Sequence, residues 1–470
     1  MLSPYHESPG FGIQNGIPRD CELSQAHILH RHAERYPESD WFDGGGMESF
    51  SDKLNKYIQN HGEVGTGLAF LRDWRYLLGR DVLLPSGAAT EMSSGADIWS
   101  SYGRMLYRAP ASQSGWEPGL NKYPNGTERS KPVFRTTDKQ RVRVSAEWWL
   151  NGFFGLGSGN DDYELVVIPE GGGLNNTLAA EHSCPGDLKE ETEDAARFLQ
   201  KVTAKALPRL SRHLPDFSLT SPDILAMMNL CPYETAALGR SSFCDLFTEQ
   251  EWLDYAYHLD MRLYGASGFG SPTGRAQGIG YVLELAARLE GKLPSLGDTS
   301  INTTYDTDPA RFPIHQPLYM DMTHDKIIIG TLAALGLQYF NYGPKGLPVD
   351  VGHAVPRTFH LNRITPFGAH LVSEVWTCPG NADLNVLDKM LYTNPDLSNS
   401  NNTTEYIRFV LNGAPVPMTG LVGCEHAVNG FCNVSDFVNA VPILKTEAMY
   451  QEACYGNYTP GHQVGNGQPE

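Results

Sequence analysis

The apolar and polar positions near the start of the chain predict a strand that ends in a charged loop. Residues 25–30 mix apolar and polar side chains without a strand-breaking residue. Residues 31–37 follow and end in Pro37, and proline disfavours helix in the residue before it. Further strand-like runs lie at residues 133–134, 164–168, 317–322, 370–377 and 405–411.

Helical patterns occupy the middle of the chain. They cover residues 49–80, 91–107, 189–210 and 221–289, and a glycine-rich piece at 265–278 interrupts the last of them. Because strands lie mainly near both ends, the pattern predicts an α/β fold. We expect a large α/β domain with a mainly parallel sheet flanked by helices, plus a smaller inserted all-α domain. The α/β domain would comprise residues 1–45, 128–185 and 296–470, and the helical domain residues 46–127 and 186–295.

The composition narrows the class of partner. The formal net charge of −18 argues against nucleic acid or an anionic membrane surface as the main partner. No apolar run approaches the roughly 18 residues of a membrane-spanning helix, and the start of the chain lacks the segments of a signal peptide. The tail 455–470, rich in Gly, Asn, Gln and Pro, is expected to be loose. No feature specifies an oligomeric state.

Cysteines and glycosylation motifs indicate a secreted glycoprotein. The chain has eight cysteines, and none of them forms a C-x-x-C pair, which excludes zinc ribbons and thioredoxin-like sites. Seven N-x-[ST] motifs and a low lysine content point in the same direction. The motifs lie at Asn125, Asn175, Asn302, Asn401, Asn402, Asn433 and Asn457.

The first candidate for chemistry is the motif Arg31-His32-x-x-Arg35, just beyond the predicted strand. Like charges packed together cost free energy unless an anion compensates them, and the planar guanidinium group suits a tetrahedral phosphate. The alternative is a solvated charged turn whose histidine has an ordinary hydrogen-bond partner. The motif therefore predicts a phosphate site only if a second element supports it.

That second element is the pair His324-Asp325. It follows a predicted buried strand and precedes an apolar helical run that ends at Gly336. The pair thus occupies a strand-to-helix junction, where α/β proteins usually bind ligands. The alternative makes Asp325 a simple helix cap.

Other kinds of site have little support. His27, His30 and His32 have a spacing that fits no common zinc motif, and no carboxylate partner is evident. Glycine triplets at 44–46 and 171–173 lack the Gly-Lys-[Ser/Thr] of a P-loop, and there is no G-x-S-x-G motif. We expect neither a metal nor a cofactor.

Together the two motifs resemble those of the histidine acid phosphatases, the branch of the histidine phosphatase superfamily that includes fungal phytases. The family signature R-H-G-x-R-x-P is similar to residues 31–37, and a downstream His-Asp pair at the head of a helix is similar to His324-Asp325. The likeness to fungal phytases extends, in the same order, over nearly the whole chain. The similar segments are residues 67–74, 166–178, 231–252, 277–289 and 369–378.

This resemblance implies a role for each matching residue. His32 would be the nucleophile that forms a phosphohistidine, and Asp325 would donate a proton to the leaving alcohol. Nearby arginines would keep the imidazole neutral, and they would favour the carboxylate of Asp325, so activity should be shifted to acid. The phosphate would be held by Arg31, Arg35, Arg141 and His324.

One departure and one ambiguity bear on these roles. The family glycine after the nucleophilic histidine is Ala33 here, and its methyl group could crowd the phosphate or shift the backbone. The last phosphate-binding arginine fits Arg141 best, with Arg143 as the alternative. Two hypotheses follow. The first is a secreted acid phosphatase that hydrolyses phosphomonoesters, including phytate (myo-inositol hexakisphosphate). The second is a catalytically impaired protein of the same fold that binds phosphorylated ligands, and the retained Asp325 favours the first.

The resemblance also bears on the pocket rim. Fungal phytases carry lysines after the signature and a Lys-Lys pair in the helical domain, whereas this chain has Glu38-Ser39-Asp40 and Met261-Arg262. Glu234 replaces a phytase aspartate near the pocket. We therefore expect a broad acid phosphatase with Glu234 and Arg262 at its substrate rim, which accepts phytate without strict preference.

Finally, the resemblance suggests a disulfide pattern, which the sequence alone leaves open among 105 pairings. The implied pairs are Cys21–Cys378, Cys184–Cys454, Cys231–Cys244 and Cys424–Cys432.

Overall fold

The structure, a computed structural model, describes residues 2–41, 43–159, 161–187, 193–295, 297–457 and 463–469. Within these ranges the chain forms a central eight-stranded sheet, a two-stranded ribbon and thirteen helices. The strands are β1 (Ile17–Pro18), β2 (Glu22–Arg31), β3 (Val133–Thr137), β4 (Glu164–Ile168), β5 (Leu318–Thr323), β6 (His370–Pro379), β7 (Leu387–Asp388), β8 (Thr403–Leu411), β9 (Ala414–Pro415) and β10 (Cys432–Asn433). The helices are α1 (Gly44–Gln59), α2 (Pro85–Ile98), α3 (Arg104–Leu106), α4 (Gln140–Phe154), α5 (Glu193–Thr203), α6 (Ala206–Ser211), α7 (Ser221–Leu238), α8 (Glu249–Ser267), α9 (Gly274–Leu289), α10 (Asp325–Ala334), α11 (Leu361–Ile364), α12 (Val434–Glu447) and α13 (Tyr450–Tyr455).

Strand β2 divides the large sheet into two halves. On one side β5, β3 and β4 follow in order and run parallel to it. On the other side β6, β8 and β10 follow, each antiparallel to the strand before it, and β9 pairs antiparallel with β8. The carboxyl ends of the parallel strands share one edge, where Arg31 stands opposite Thr323. The predicted α/β class is confirmed, in the form of a mixed sheet flanked by helices.

Some element bounds differ from the predictions. The predicted helix at 189–210 begins among residues 188–192, which lie outside the described residues, and its described part is divided into α5 and α6. Helix α1 ends at Gln59, and the chain then turns through His61, which has a φ of 61°. The division into an α/β and a helical domain stays a prediction.

Close helix packing positions α4 and α10, the helices that carry Arg141 and Asp325. A Cβ at Gly95 of α2 would lie 2.0 Å from the carbonyl oxygen of Trp149 in α4, so glycine is required there. A Cβ at Gly278 of α9 would likewise lie 2.1 Å from the carbonyl oxygen of Gly330 in α10. The two contacts hold α4 and α10 tightly against neighbouring helices, which fixes their amino-terminal turns near the sheet edge.

Apolar side chains fill both faces of the sheet, and one group of charges is buried among them. Arg135 of β3 contacts Asp321 of β5 (Nε to Oδ1, 2.6 Å), Asp306 (3.0 Å) and Glu284 of α9. Arg288 of α9 donates to Asp321 as well, at 2.6 Å. All five side chains are buried. Because buried charges are tolerated only when paired, this group ties α9 to β3 and β5.

Four disulfides join the same pairs that the resemblance implies, and among the described residues no cysteine is free. The tail, however, is packed where it is described. The Val464 amide donates to Gly270, and Arg275 Nε donates to the carbonyl of Asn466 at 2.7 Å. The expectation of a loose tail is therefore wrong for residues 463–469, because hydrogen bonds dock it on the segment before α9 and on the first turn of that helix.

The glycosylation motifs differ in their surroundings. Asn125, Asn401 and Asn402 are exposed, whereas Asn302 is buried. Asn175 donates from its side-chain amide to the carbonyls of Thr299 (3.0 Å) and Ile301 (3.2 Å). The hydroxyl of Thr177, the third residue of that motif, is buried and donates to Glu284 of the charged group at 2.7 Å. Among the described residues no helix is long and apolar enough to cross a membrane.

Candidate active site

His32 lies at the carboxyl end of β2, at the centre of the sheet edge. Its amide donates to the carbonyl of Thr323 at 3.0 Å, and its ring Nδ1 donates to the carbonyl of Ala33 at 2.9 Å. Because Nδ1 carries the proton, Nε2 keeps its lone pair. Burial, together with the positive charges of Arg31, Arg141 and Arg35, holds the pKa of His32 well below its ordinary value. The ring is therefore neutral even in acid.

Ala33 follows this ring without backbone strain. It is fully buried, and its amide donates to Ser145 Oγ of α4 at 3.2 Å. It is not among the described residues that have a positive φ. The backbone here therefore does not require the glycine of the family signature.

Arg31 and Arg35 extend from β2 and from the loop after it. Arg31 is fully buried, stacks on the ring of Phe367 at 4.5 Å and donates to the carbonyl of Thr365 at 2.6 Å. Arg35 Nη1 donates to Asp43 Oδ2 and Tyr233 Oη, both at 3.1 Å. Residues from the start of α1 and from α7 therefore hold the Arg35 guanidinium in place.

Arg141 reaches the same place from the first turn of α4. Its Nη2 donates at 3.0 Å to Glu38 Oε1, which also accepts from Arg35 Nη2 at 2.8 Å. The Nε–H groups of Arg35 and Arg141 have no hydrogen-bond partner among the described residues. Both guanidiniums therefore keep donors for an anion. The alternative residue Arg143 instead pairs with Glu147 along the helix and is partly exposed.

His324 and Asp325 stand at the β5–α10 junction that the sequence predicts. The centroids of the His324 and His32 rings lie 5.6 Å apart. Asp325 Oδ2 lies 3.0 Å from Arg31 Nη2. Burial raises the pKa of Asp325, but Arg31, Arg35 and His324 outweigh it and lower that pKa to about 2. The carboxyl group is therefore ionised above about pH 2.

Glu170, which the sequence reasoning missed, orients His324. Its Oε1 accepts from His324 Nε2 at 2.7 Å, and its Oε2 lies 3.4 Å from His182 Nε2. Burial raises the pKa of Glu170, but His324 and His182 lower it strongly. Because the ionised carboxylate accepts the hydrogen bond of His324 Nε2, it fixes the orientation of the His324 ring. The only available signal was its position just after β4, at the functional edge of the sheet.

Lys326, the residue after Asp325, was missed as well. It is half-buried in the first turn of α10. Burial lowers its pKa, yet the negative charges of Asp187, Glu181, Asp325 and Glu38 raise it overall. A charged lysine therefore stands beside the site. Its adjacency to the His-Asp pair could have revealed it.

The two residues expected at the rim have different surroundings. Glu234 is buried, and its oxygens accept from Trp74 Nε1 at 2.7 Å and from Ser241 Oγ at 2.5 Å. These contacts hold the Glu234 carboxylate of α7 against the segment between α1 and α2 and against the loop after α7. Arg262 is half-buried in α8.

The other histidines considered as zinc ligands have different partners. His27 stacks on Tyr319 at 4.5 Å, and His30 donates from Nδ1 to the carbonyl of Arg31 at 2.8 Å. Among the described residues no group of three or more His, Cys, Asp or Glu side chains is arranged to hold a metal ion.

A neutral imidazole surrounded by guanidinium groups, with a carboxyl group beside it, has the groups that phosphoryl transfer to histidine requires. Comparison with known proteins agrees. Residues 22–412 match the histidine phosphatase superfamily (branch 2), and the chain belongs to this family.

Relatives and solved structures give the same class. The chain is 29% identical over 473 residues to Phytase A of Aspergillus oryzae, covering 96% of this chain and 89% of that protein. It is 30% identical over 463 residues to Phytase A of Emericella nidulans, covering 95% and 88%. The phytase from D. castellii has the same fold, with a TM-score of 0.69 at 23% identity, covering 98% of this chain and 88% of that one. The protein is thus a histidine acid phosphatase of the phytase group, and its substrates are phosphorylated small molecules.

Proposed function

We propose that His32 carries the phosphoryl group and that phytate is among the substrates. The observation that supports this best is the buried His32 ring. Its Nδ1 donates a hydrogen bond to a carbonyl, and its Nε2 is available among Arg31, Arg35 and Arg141. Nε2 attacks phosphorus, and the bond between phosphorus and the ester oxygen breaks. Asp325 gives its proton to the departing oxygen. Water then attacks the phosphohistidine, returns a proton to Asp325 and releases inorganic phosphate.

Arg31, Arg35, Arg141 and His324 hold the phosphate oxygens during both steps. Their charges also offset the negative charge that spreads over the equatorial oxygens. No step of this sequence needs a metal or a cofactor. A protein that only binds phosphate esters would gain nothing from Asp325, so the impaired-protein alternative is not favoured.

The roles of His32 and Asp325 can be separated by the leaving group. His32→Ala should reduce hydrolysis of p-nitrophenyl phosphate to background while the protein stays folded. Asp325→Asn should lose far more activity with alkyl phosphates than with p-nitrophenyl phosphate, because an activated leaving group needs less protonation. Equal losses with both ester types would contradict the proton-donor role of Asp325.

The rim supports a broad rather than a strict preference. Glu38 stands beside the arginines, and Lys326 is accompanied by four carboxylates, so the surroundings offer little excess positive charge to a hexakisphosphate. We expect comparable kcat/KM for phytate and p-nitrophenyl phosphate. A preference for phytate above about a hundredfold, or roughly 2.7 kcal/mol, would contradict this reasoning.

We also propose that the enzyme is secreted and glycosylated at exposed motifs such as Asn125, Asn401 and Asn402. Its four disulfides suit an oxidising compartment. A mobility shift of the secreted protein on treatment with an endoglycosidase tests this. Retention of the protein inside the cell would contradict it.

A further inference from the structure

The carboxylate of Glu38 stands where two phosphate-binding arginines converge. Its Oε1 accepts from Arg35 Nη2 at 2.8 Å and from Arg141 Nη2 at 3.0 Å. Arg35 comes from the loop after β2 and Arg141 from α4, so this single oxygen joins two separate elements. The Glu38 side chain is 37% exposed, and solvent therefore reaches the carboxylate.

The backbone of Glu38 is fixed, although its side chain is not. Its amide donates to Asp43 Oδ2 at 2.8 Å, and its carbonyl accepts from the Gly44 amide at 2.7 Å. A Cβ at Gly44 would lie 2.4 Å from that carbonyl oxygen, so the tight turn requires glycine. Only the side-chain torsions are left to move the carboxylate on and off the arginines.

An anionic substrate needs the same donors. On each guanidinium the unpartnered Nε–H lies on the same edge as Nη2, so a phosphate held in bidentate geometry by Arg35 and Arg141 would use the Nη2 groups that Glu38 now contacts. Two anions cannot share these groups without repulsion. Building on the proposed function, we propose that Glu38 is an internal competitor for the substrate phosphate. Its carboxylate must leave the two arginines before an ester binds, and it therefore helps to set the affinity for phosphate.

This competition depends on pH. Burial raises the pKa of Glu38, but Arg35, Arg141 and His324 outweigh burial and the nearby Asp325, and they lower it to about 2. The carboxylate therefore competes above that pH and loses its charge as the pH falls through it. The charged or titratable groups around it are Arg35, Arg141, His324, Asp325, Lys326, Asp43, Asp81 and Tyr233.

Replacing the carboxylate by an amide tests the proposal. Glu38→Gln keeps the size of the side chain and removes its charge, so in mild acid it should bind inorganic phosphate about tenfold more tightly than the wild type. This advantage should shrink toward the pH at which the wild-type carboxylate protonates. Glu38→Asp, which is too short to bridge both arginines, should also bind phosphate more tightly. Asp40→Asn, an exposed charge removal in the same loop, is the matched control and should leave binding unchanged.

Isothermal titration calorimetry with inorganic phosphate measures these affinities directly and does not depend on turnover. Unchanged or weaker phosphate binding by folded Glu38→Gln and Glu38→Asp proteins would overturn the proposal. A tenfold gain in the Asp40→Asn control would overturn it too, because the effect would then be general electrostatics. If the wild type binds phosphate but hydrolyses no ester, the proposed function fails while the role of Glu38 is still decided by the titration.

Discussion

Replacing Glu170 by glutamine should show how much the enzyme depends on the orientation of His324. The carboxylate accepts from His324 Nε2 at 2.7 Å, and its other oxygen lies 3.4 Å from His182 Nε2. Glutamine keeps the shape and one acceptor oxygen but removes the negative charge. The ring therefore keeps a hydrogen bond, but to a neutral oxygen instead of a carboxylate oxygen.

The size of the effect follows from that difference. A hydrogen bond to an ionised group contributes about 1.5–3 kcal/mol, and a neutral one contributes about 0.5–1.5 kcal/mol. The side chain of Glu170 is only 2% exposed, so solvent does little to screen the loss. A difference of about 1–1.4 kcal/mol corresponds to roughly a five- to tenfold decrease in kcat/KM.

Steady-state kinetics with p-nitrophenyl phosphate across the acid range measure this effect. Because His324 holds phosphate in the proposed mechanism, the loss should appear in KM and in the inhibition constant of inorganic phosphate more than in kcat. Glu170→Asp keeps the charge and should restore part of the affinity. His182→Gln removes only the more distant partner and is the matched control.

Two outcomes would refute this reasoning. If Glu170→Gln has the wild-type inhibition constant for phosphate, His324 does not depend on Glu170. If His182→Gln loses as much affinity as Glu170→Gln, the whole edge of the pocket has moved, and the orientation of one ring is not the cause.

Three further predictions concern stability and the signature residue. Asp321→Asn should reduce the free energy of unfolding by about 3–5 kcal/mol, since it leaves Arg288 without its buried counter-charge and removes one of the three carboxylates around Arg135; denaturant unfolding measures this. Burial and a neighbouring carboxylate raise the pKa of Asp306 well above its ordinary value, so its stabilising contribution is present in acid and is lost as the pH rises through that raised pKa. The free energy of unfolding of the wild type should therefore decrease as the pH rises through that raised pKa, and it should decrease less for Asp306→Asn. Ala33→Gly should lower stability by about 1 kcal/mol and change kcat/KM by less than about threefold, because the alanine is buried without strain; a large gain in activity would show that its methyl group obstructs phosphate.

Local patterns were enough to predict where the two central motifs lie. A strand before His32 and a strand before His324 place both residues at one sheet edge, because parallel strands share their carboxyl ends. The helix after Asp325 also follows from its apolar run. These features depend on near neighbours in the sequence, and the structure places them as the pattern indicates.

Contacts between distant segments could not be read from the sequence. Glu170 contacts His324 across 154 positions, and Tyr233 contacts Arg35 across 198. Neither belongs to a motif that marks a ligand site. The packed tail was mispredicted for the same reason, since polar, glycine-rich residues can dock through backbone hydrogen bonds that leave no hydrophobic signature.

The hydrogen bonds of Asn175 have a consequence for the order of events during biosynthesis. Its amide nitrogen has two protons and donates to two carbonyls, those of Thr299 and Ile301. A sugar on this nitrogen would leave one proton, and one carbonyl would lose its donor. The hydroxyl of Thr177, which an oligosaccharyl transferase must recognise, is buried against Glu284. Residues 299–301 are synthesised more than a hundred positions after Asn175. A glycan at Asn175 can therefore be attached only while the chain is still emerging, before the later segment closes over the motif.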